Sequence, residues 1–338
     1  MTTRLTVAVE PRYFRSSSIQ SRVLATALRH TIKPILGVWS HLPFDLYPPN
    51  LVDHAARLLP TPQGTHWRRV SVGAAVGEWV TGEGVEEANP AAGDGVILYL
   101  HGGAFITCGL NTHRGLVSRI SSASGQPVLN LAYRQMPDVS ITHAINDGID
   151  AFRWLMDQGY TADRITVAGD SAGGYMAFGI ARAVIDAGWG QPAAVVAISP
   201  LLDLKSDAKR AHRNADRCDL FPLSALERFS KVAMRRERRD GQPDRPCPVD
   251  MDVDGLPPAL IQIGSREILM PDAEIMANRL VAGGIPCEFQ VWSRQVHVFQ
   301  AAAGWLPEAA RAVNEVAHFI RTVEHERLSV MPDVAVNE

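Results

Sequence analysis

Gly169-Asp170-Ser171-Ala172-Gly173 sets one serine between two glycines, where an apolar run over residues 165–168 meets a helical pattern that begins at Ala172. A serine in so tight a strand-to-helix turn takes a strained backbone conformation, and its hydroxyl stands clear of the chain at a helix N-terminus. There the helix dipole and free backbone N–H groups favour the negative charge that develops when a carbonyl is attacked. The chemistry open to such a serine is acyl transfer, which also needs a base, an acid to orient the base, and an oxyanion hole. Five-residue patterns of this kind also arise by chance, so the rest of the chain decides.

Candidates for all three stand at matching places. "HGGAF", His101 to Phe105, directly follows the apolar run 96–100. Tandem glycines let backbone N–H groups converge on an oxyanion without side chains in the way. Gly102 and Gly103 are therefore the expected donors, Ala172 supplies a third from the position after the nucleophile, and His101 is expected to hold the loop's shape. The base is His297, which alone among the eleven histidines lies between the last strand pattern and the terminal helix. For the acid, the stretch 263–274 offers Glu267, Asp272 and Glu274. Glu267 comes soonest after a strand pattern at 259–263. Asp272, directly after Pro271, stands where a helix N-cap is expected, and Glu274 falls in the first turn. Glu267 is thus assigned the catalytic role, with Asp272 as the alternative.

Strand patterns are expected at 70–80, 96–100, 128–132, 165–168, 194–198, 259–263 and 287–291, with helical patterns at 114–124, 141–158, 172–187, 272–282 and 307–323. Such alternation predicts an α/β fold with a mostly parallel sheet, helices on both faces, and a crevice at the carboxyl ends of the strands. Two stretches break the rhythm. Residues 18–42 form an amphipathic helical pattern with Ile19, Val23, Leu24, Ala27, Leu28 and Ile32 on one stripe and Pro34 as breaker; packing on the domain or contact with a lipid surface would both use that stripe. Residues 203–250 form a polar insertion with its own helical piece near 223–235. Its "RRERR", 235–239, carries a glutamate and no interleaved aromatics, and reads as a solvated helix end.

The chain's 338 residues carry 46% hydrophobic and 20% charged residues and a formal charge of −3, which is globular composition without a whole-molecule field for nucleic acid. Four cysteines, Cys108, Cys218, Cys247 and Cys287, are widely spaced and form no C-x-x-C pair, as expected of thiols in a reducing compartment. The first residues lack a signal-peptide pattern, and no apolar run reaches about 18 residues. A cytoplasmic protein is expected.

"HGGAF", "GDSAGG" and the late "HVF" together resemble the hormone-sensitive-lipase-like branch of the α/β-hydrolases, over about residues 70–323. The resemblance implies the α/β-hydrolase fold and hydrolysis of carboxylic esters of short to medium acyl chain, with neither metal nor organic cofactor. It also implies a helical cap built from residues 1–60 and about 203–250, over a hydrolase domain of 61–325 that a tail, 326–338, follows. The chain departs from the family pattern at three places: Ala104 at the fourth position of the HGGG box, "YRQMPD" at 133–138, and Glu267 where an aspartate is usual. Pocket size would depend on cap residues such as Trp39, Phe44, Phe221 and Leu223. The same triad would serve an acyltransferase or amidase, and related scaffolds that have lost the histidine act as receptors, an alternative against which His297 stands. An exposed edge strand or the final helix would be the means of pairing two copies.

Overall fold

A computed structural model describes residues 8–42, 51–86, 89–242 and 246–330. Phe44, residues 1–7 and most of the expected tail lie outside them. In chain order the elements are β1 (Arg12–Phe14), α1 (Ile19–His30), α2 (Ile32–Trp39), α3 (Leu51–Ala55), β2 (His66–Val72), β3 (Ala75–Thr81), β4 (Val96–Leu100), α4 (Leu110–Ser124), β5 (Val128–Ala132), α5 (Ile141–Asp157), β6 (Ile165–Asp170), α6 (Ala172–Asp186), β7 (Ala194–Ile198), α7 (Asp207–Ala211), α8 (Leu223–Arg239), β8 (Ala259–Gly264), α9 (Met270–Ala282), β9 (Cys287–Trp292) and α10 (Pro307–Val330).

The strands form one sheet in the order β1-β9-β8-β7-β6-β4-β5-β3-β2, antiparallel only where β3 meets β5 and β2. Its central strands are continuous Val, Ile, Leu and Ala runs because both faces are covered: every residue of β4, β6, β7 and β8 is buried. Helices α4 and α10 supply the apolar residues on one face, including Leu116, Ile120, Val313 and Val316. On the other face α5, α6 and α9 contribute Phe152, Met176, Ile180 and Met276. This is the α/β-hydrolase fold.

Four expectations are corrected. The single strand at 70–80 is a hairpin, β2–β3, in which Val72 pairs with Ala75 and Gly73 turns the chain at φ 55°. A left-handed residue at the first turn position is what a two-residue hairpin loop needs, and the surrounding β-formers mask it. The segment 18–42 is two helices broken at Thr31. Continuing α1 through Pro34 would press the proline ring on the His30 carbonyl, whereas in the first turn of α2 its missing N–H is one of the donors that have no helical partner. Helix α10 runs on to Val330, so the tail expected from 326 begins inside it. Asp272 is not an N-cap: Leu269 holds that position, and Asp272 sits in the first turn of α9. Strand β1 was not foreseen; it is three residues long, and Phe14 stacks on Trp292 of β9 at 3.8 Å between ring centroids.

Candidate active site

Ser171 follows β6 with φ 51° and ψ −115°, a conformation rare for any residue but glycine, and α6 begins at the next residue. The neighbouring backbone explains the flanking glycines. A Cβ on Gly173 would lie 1.8 Å from the Leu100 carbonyl oxygen, and one on Gly169 would lie 2.5 Å from Gly173 backbone. The Ser171 N–H donates to the Ile198 carbonyl at 2.8 Å, which pins the turn to β7.

Glu267 and His297 are brought together. His297 Nδ1 lies 2.7 Å from Glu267 Oε2, and because a carboxylate accepts, that nitrogen carries the proton and Nε2 is left for transfer. The other oxygen, Oε1, accepts from the Gly264 N–H at 2.6 Å and the Ser199 hydroxyl at 2.8 Å. Ser199 in turn accepts from the Val298 N–H at 3.1 Å, so one hydroxyl ties the acid loop to the base loop. The ring edge of Phe221 meets His297 at 4.9 Å between centroids. His297 and Ser171 both line one cavity; among the described contacts none yet joins the Ser171 hydroxyl to the imidazole, a bond that often tightens only with substrate present.

Asp272 lies elsewhere. It is fully buried, forms an ion pair with Lys209 at 2.8 Å, and accepts from the Leu202 and Asp203 N–H groups at 3.0 Å each. Burial pushes its carboxyl up to about 6, against the pull of Lys209. It fastens the insertion to α9.

The oxyanion loop carries one correction. The Gly102 N–H donates to Asp170 Oδ1 at 3.0 Å and so is not free. The N–H groups of Gly103, Ala104 and Ala172 have no acceptor among the described residues. Ala104, Phe105 and Cys108 have φ of 53°, 56° and 68°, a strained path that needs holding. The "YRQM" stretch holds it. The Tyr133 hydroxyl donates to the His101 carbonyl at 2.7 Å, Gln135 Nε2 to the Thr107 carbonyl at 3.0 Å, and the Met136 N–H to the Phe105 carbonyl at 2.8 Å. His101 packs against the same loop: its Nδ1 lies 2.7 Å from the Gly102 carbonyl, its ring stacks on Tyr133 at 4.4 Å, and burial drives its imidazole down to about 4.

Beneath the loop Asp170 accepts from the Tyr99 hydroxyl at 2.9 Å and pairs with His113 Nε2 at 3.1 Å. Burial would raise the Asp170 carboxyl, but His113 and Tyr99 outweigh it and hold it below the usual range, while Asp170 raises His113 against the same burial. Tyr99, His113, Tyr133, Asp170 and Ser199 were not singled out in the sequence. Only Asp170, inside the serine motif, and Tyr133, inside "YRQMPD", carried a signal there.

The cavity measures about 530 Å³ and its walls are mostly apolar: Leu28, Ile35 and Trp39 from α1 and α2, Leu226 and Phe229 from α8, and Phe221 before it. Leu223 packs against the core instead. Among the described residues no group of three or more His, Cys, Asp or Glu is placed to hold a metal ion.

Fold and site together define an α/β-hydrolase. A family model described as alpha/beta hydrolase fold matches residues 97–301, and the chain belongs to that family, in its hormone-sensitive-lipase-like branch. It is 41% identical to Esterase LipU of Mycobacterium tuberculosis (strain ATCC 25618 / H37Rv) over 86% of this chain and 98% of the relative. It is 39% identical to Carboxylesterase/phospholipase LipF of the same strain, over 90% of this chain and 82% of that one. Among solved structures, an esterase from the bacterial hormone-sensitive lipase (HSL) family aligns with a TM-score of 0.77 at 28% identity, covering 91% of this chain and 99% of that one.

Proposed function

We propose that the chain hydrolyses carboxylic esters of short to medium acyl chain through an acyl-enzyme on Ser171. The observation that carries this reading is the Glu267–His297 hydrogen bond beside a strained serine, in a cavity with apolar walls. His297 Nε2 takes the Ser171 proton as the oxygen attacks the ester carbonyl, and Glu267 steadies the imidazolium. The N–H groups of Gly103, Ala104 and Ala172 receive the oxyanion, Ala104 taking the place expected of Gly102. His297 then protonates the departing alcohol, and a water repeats the sequence to free the acid. Helices α1 and α2 of the N-terminal segment and α8 of the insertion act as the cap, since α2 packs on both α1 and α8 and all three line the cavity.

The test is a p-nitrophenyl ester series from acetate to palmitate on the wild type, Ser171→Ala and Glu267→Gln. Peak activity at short or medium chains is expected, with near-complete loss in the serine variant and a fall of about 10³-fold or more in the glutamate variant. No turnover of any ester by the wild type overturns the reading. Product analysis with an added alcohol separates hydrolysis from acyl transfer.

Ile19, Val23, Ile35 and Val38 of α1 and α2 are largely exposed, which supports peripheral lipid contact through residues 18–42. The edge position of β2 supports a homodimer. Sedimentation with and without phosphatidylcholine vesicles tests both, and a monomer that ignores vesicles refutes both. Four free cysteines fit a cytoplasmic location, which fractionation of the native cells checks.

A further inference from the structure

Six arginines, Arg15, Arg22, Arg213, Arg217, Arg266 and Arg294, line a second, open concavity of about 800 Å³ whose other lining residues are serines and one asparagine. No carboxylate lines it, and it shares no residue with the ester cavity. The arginines come from the chain before and within α1, from the insertion, and from the loops after β8 and β9. Folding therefore gathers like charges from distant stretches, at a cost in mutual repulsion. Elsewhere the fold pairs guanidinium groups with buried carboxylates, as Arg114 with Glu78 and Arg134 with Asp147. Here, among the described residues, only Arg266 has an acidic partner, Asp219 at 3.9 Å, and Arg29 also engages that carboxylate.

The walls are fixed from behind. Asn214 is 1% exposed, and its amide donates to the Ser265 carbonyl at 3.1 Å and the Glu267 carbonyl at 2.9 Å. The Ser265 hydroxyl accepts from the Arg294 N–H at 2.9 Å. A buried hydrogen bond of 2.9 Å from Ser21 to Gln295 ties α1 to the loop after β9. The guanidinium fork matches phosphate oxygens two at a time, and a concave cationic surface concentrates anions. Six forks offer more donors than one phosphate or one carboxylate can accept, in a space larger than either.

We propose that this groove binds a ligand carrying two or more phosphate groups. Binding here is independent of ester cleavage, so its test needs no turnover. Calorimetric titration of the full chain with inorganic tripolyphosphate, at about 50 mM salt where screening is weak, should give saturable binding at least about tenfold tighter than inorganic phosphate. Arg213 and Arg217 are exposed and have no side-chain partner among the described residues, so Arg213→Gln/Arg217→Gln should fold and weaken binding about tenfold or more. Arg213→Lys/Arg217→Lys, which keeps the charge and loses the fork, should fall between. Arg238→Gln/Arg239→Gln, the same charge change on α8, should leave binding unchanged. Equal weakening by the groove and α8 variants, or no binding by the wild type, overturns the proposal. Pelleting with vesicles containing cardiolipin, a lipid with two phosphates, that tripolyphosphate reverses would identify a lipid headgroup as the phosphate source; tripolyphosphate binding without pelleting would point to a soluble ligand with several phosphates.

Discussion

Asp170 stands next to Ser171, the proposed nucleophile, and yet its contacts run to β4 and the loop after it. Its Oδ1 gathers the Gly102 N–H, the Tyr99 hydroxyl and His113, so the carboxylate fixes where Gly103 and Ala104 present their N–H groups. Asp170→Asn keeps an acceptor but removes the charge opposite His113. We expect kcat to fall at least about tenfold, some 1.4 kcal/mol of barrier, while KM stays nearly constant because the apolar side chains that wall the cavity, among them Leu28, Ile35 and Phe229, are unchanged. Steady-state kinetics on a short ester decides, and an unchanged kcat would mean the loop is held without this carboxylate. Ser171, Glu267 and His297 were legible in the sequence because each must fall in the loop directly after a strand, and a strand end is a local pattern. Ser199 and His113 were not. Their roles exist only because β6, β7 and β8 lie side by side and α4 returns beneath β4, which no local spacing records.

The insertion between β7 and β8 is held to the sheet domain by Lys209 of α7 and Asp272 of α9, with side chains 1% and 0% exposed. Removing one member of such a pair strands the other without water, which typically costs about 3 kcal/mol or more. Lys209→Met should therefore lower the unfolding free energy by about that amount, read as a fall in the denaturant midpoint. Asp272→Asn should also destabilise, because the Leu202 and Asp203 N–H groups then face a weaker acceptor. In both variants kcat on a short ester should stay within about threefold of the wild type under native conditions, since neither side chain lines the cavity. Glu267→Gln should do the reverse, losing kcat with little loss of stability. If Asp272→Asn lost kcat while Glu267→Gln kept it, the acid would be reassigned. At this scale continuous apolar strands were easy to read, whereas the β2–β3 hairpin was not, because Gly73 is a single residue inside eleven that alternate like one strand. The break at Thr31 was similarly displaced: Pro34 announced it, but the first-turn tolerance for proline moved it three residues upstream.

Across the whole molecule, the polar cluster of His101, His113 and Asp170 lies where β4 and β6 end beneath the cavity, so its protonation bears on folding stability. His101 is 1% exposed and titrates near 4 in the folded chain, against about 6.5 unfolded. The unfolded chain then takes up a proton first as the pH drops, and the stability that His101 contributes above 6.5 is lost on the way down to 4. Integrated over that window, the loss is about 3 kcal/mol. His113 acts in a different window: its pKa is raised in the fold, so its contribution is complete below 6.5 and lost as the pH climbs through the folded value. Asp272 opposes His101 between the ordinary carboxyl value and about 6, since its raised pKa stabilises the fold in acid. A single pH curve of the wild type would blend these effects, but His101→Gln leaves Asp272 in place, so the difference between wild type and variant isolates the imidazole. Denaturant unfolding of both at pH 7 and pH 4 should show the wild type losing about 3 kcal/mol more than the variant. Parallel losses would mean that His101 accepts its proton in the fold as readily as in water, and that the oxyanion loop tolerates an imidazolium beneath it.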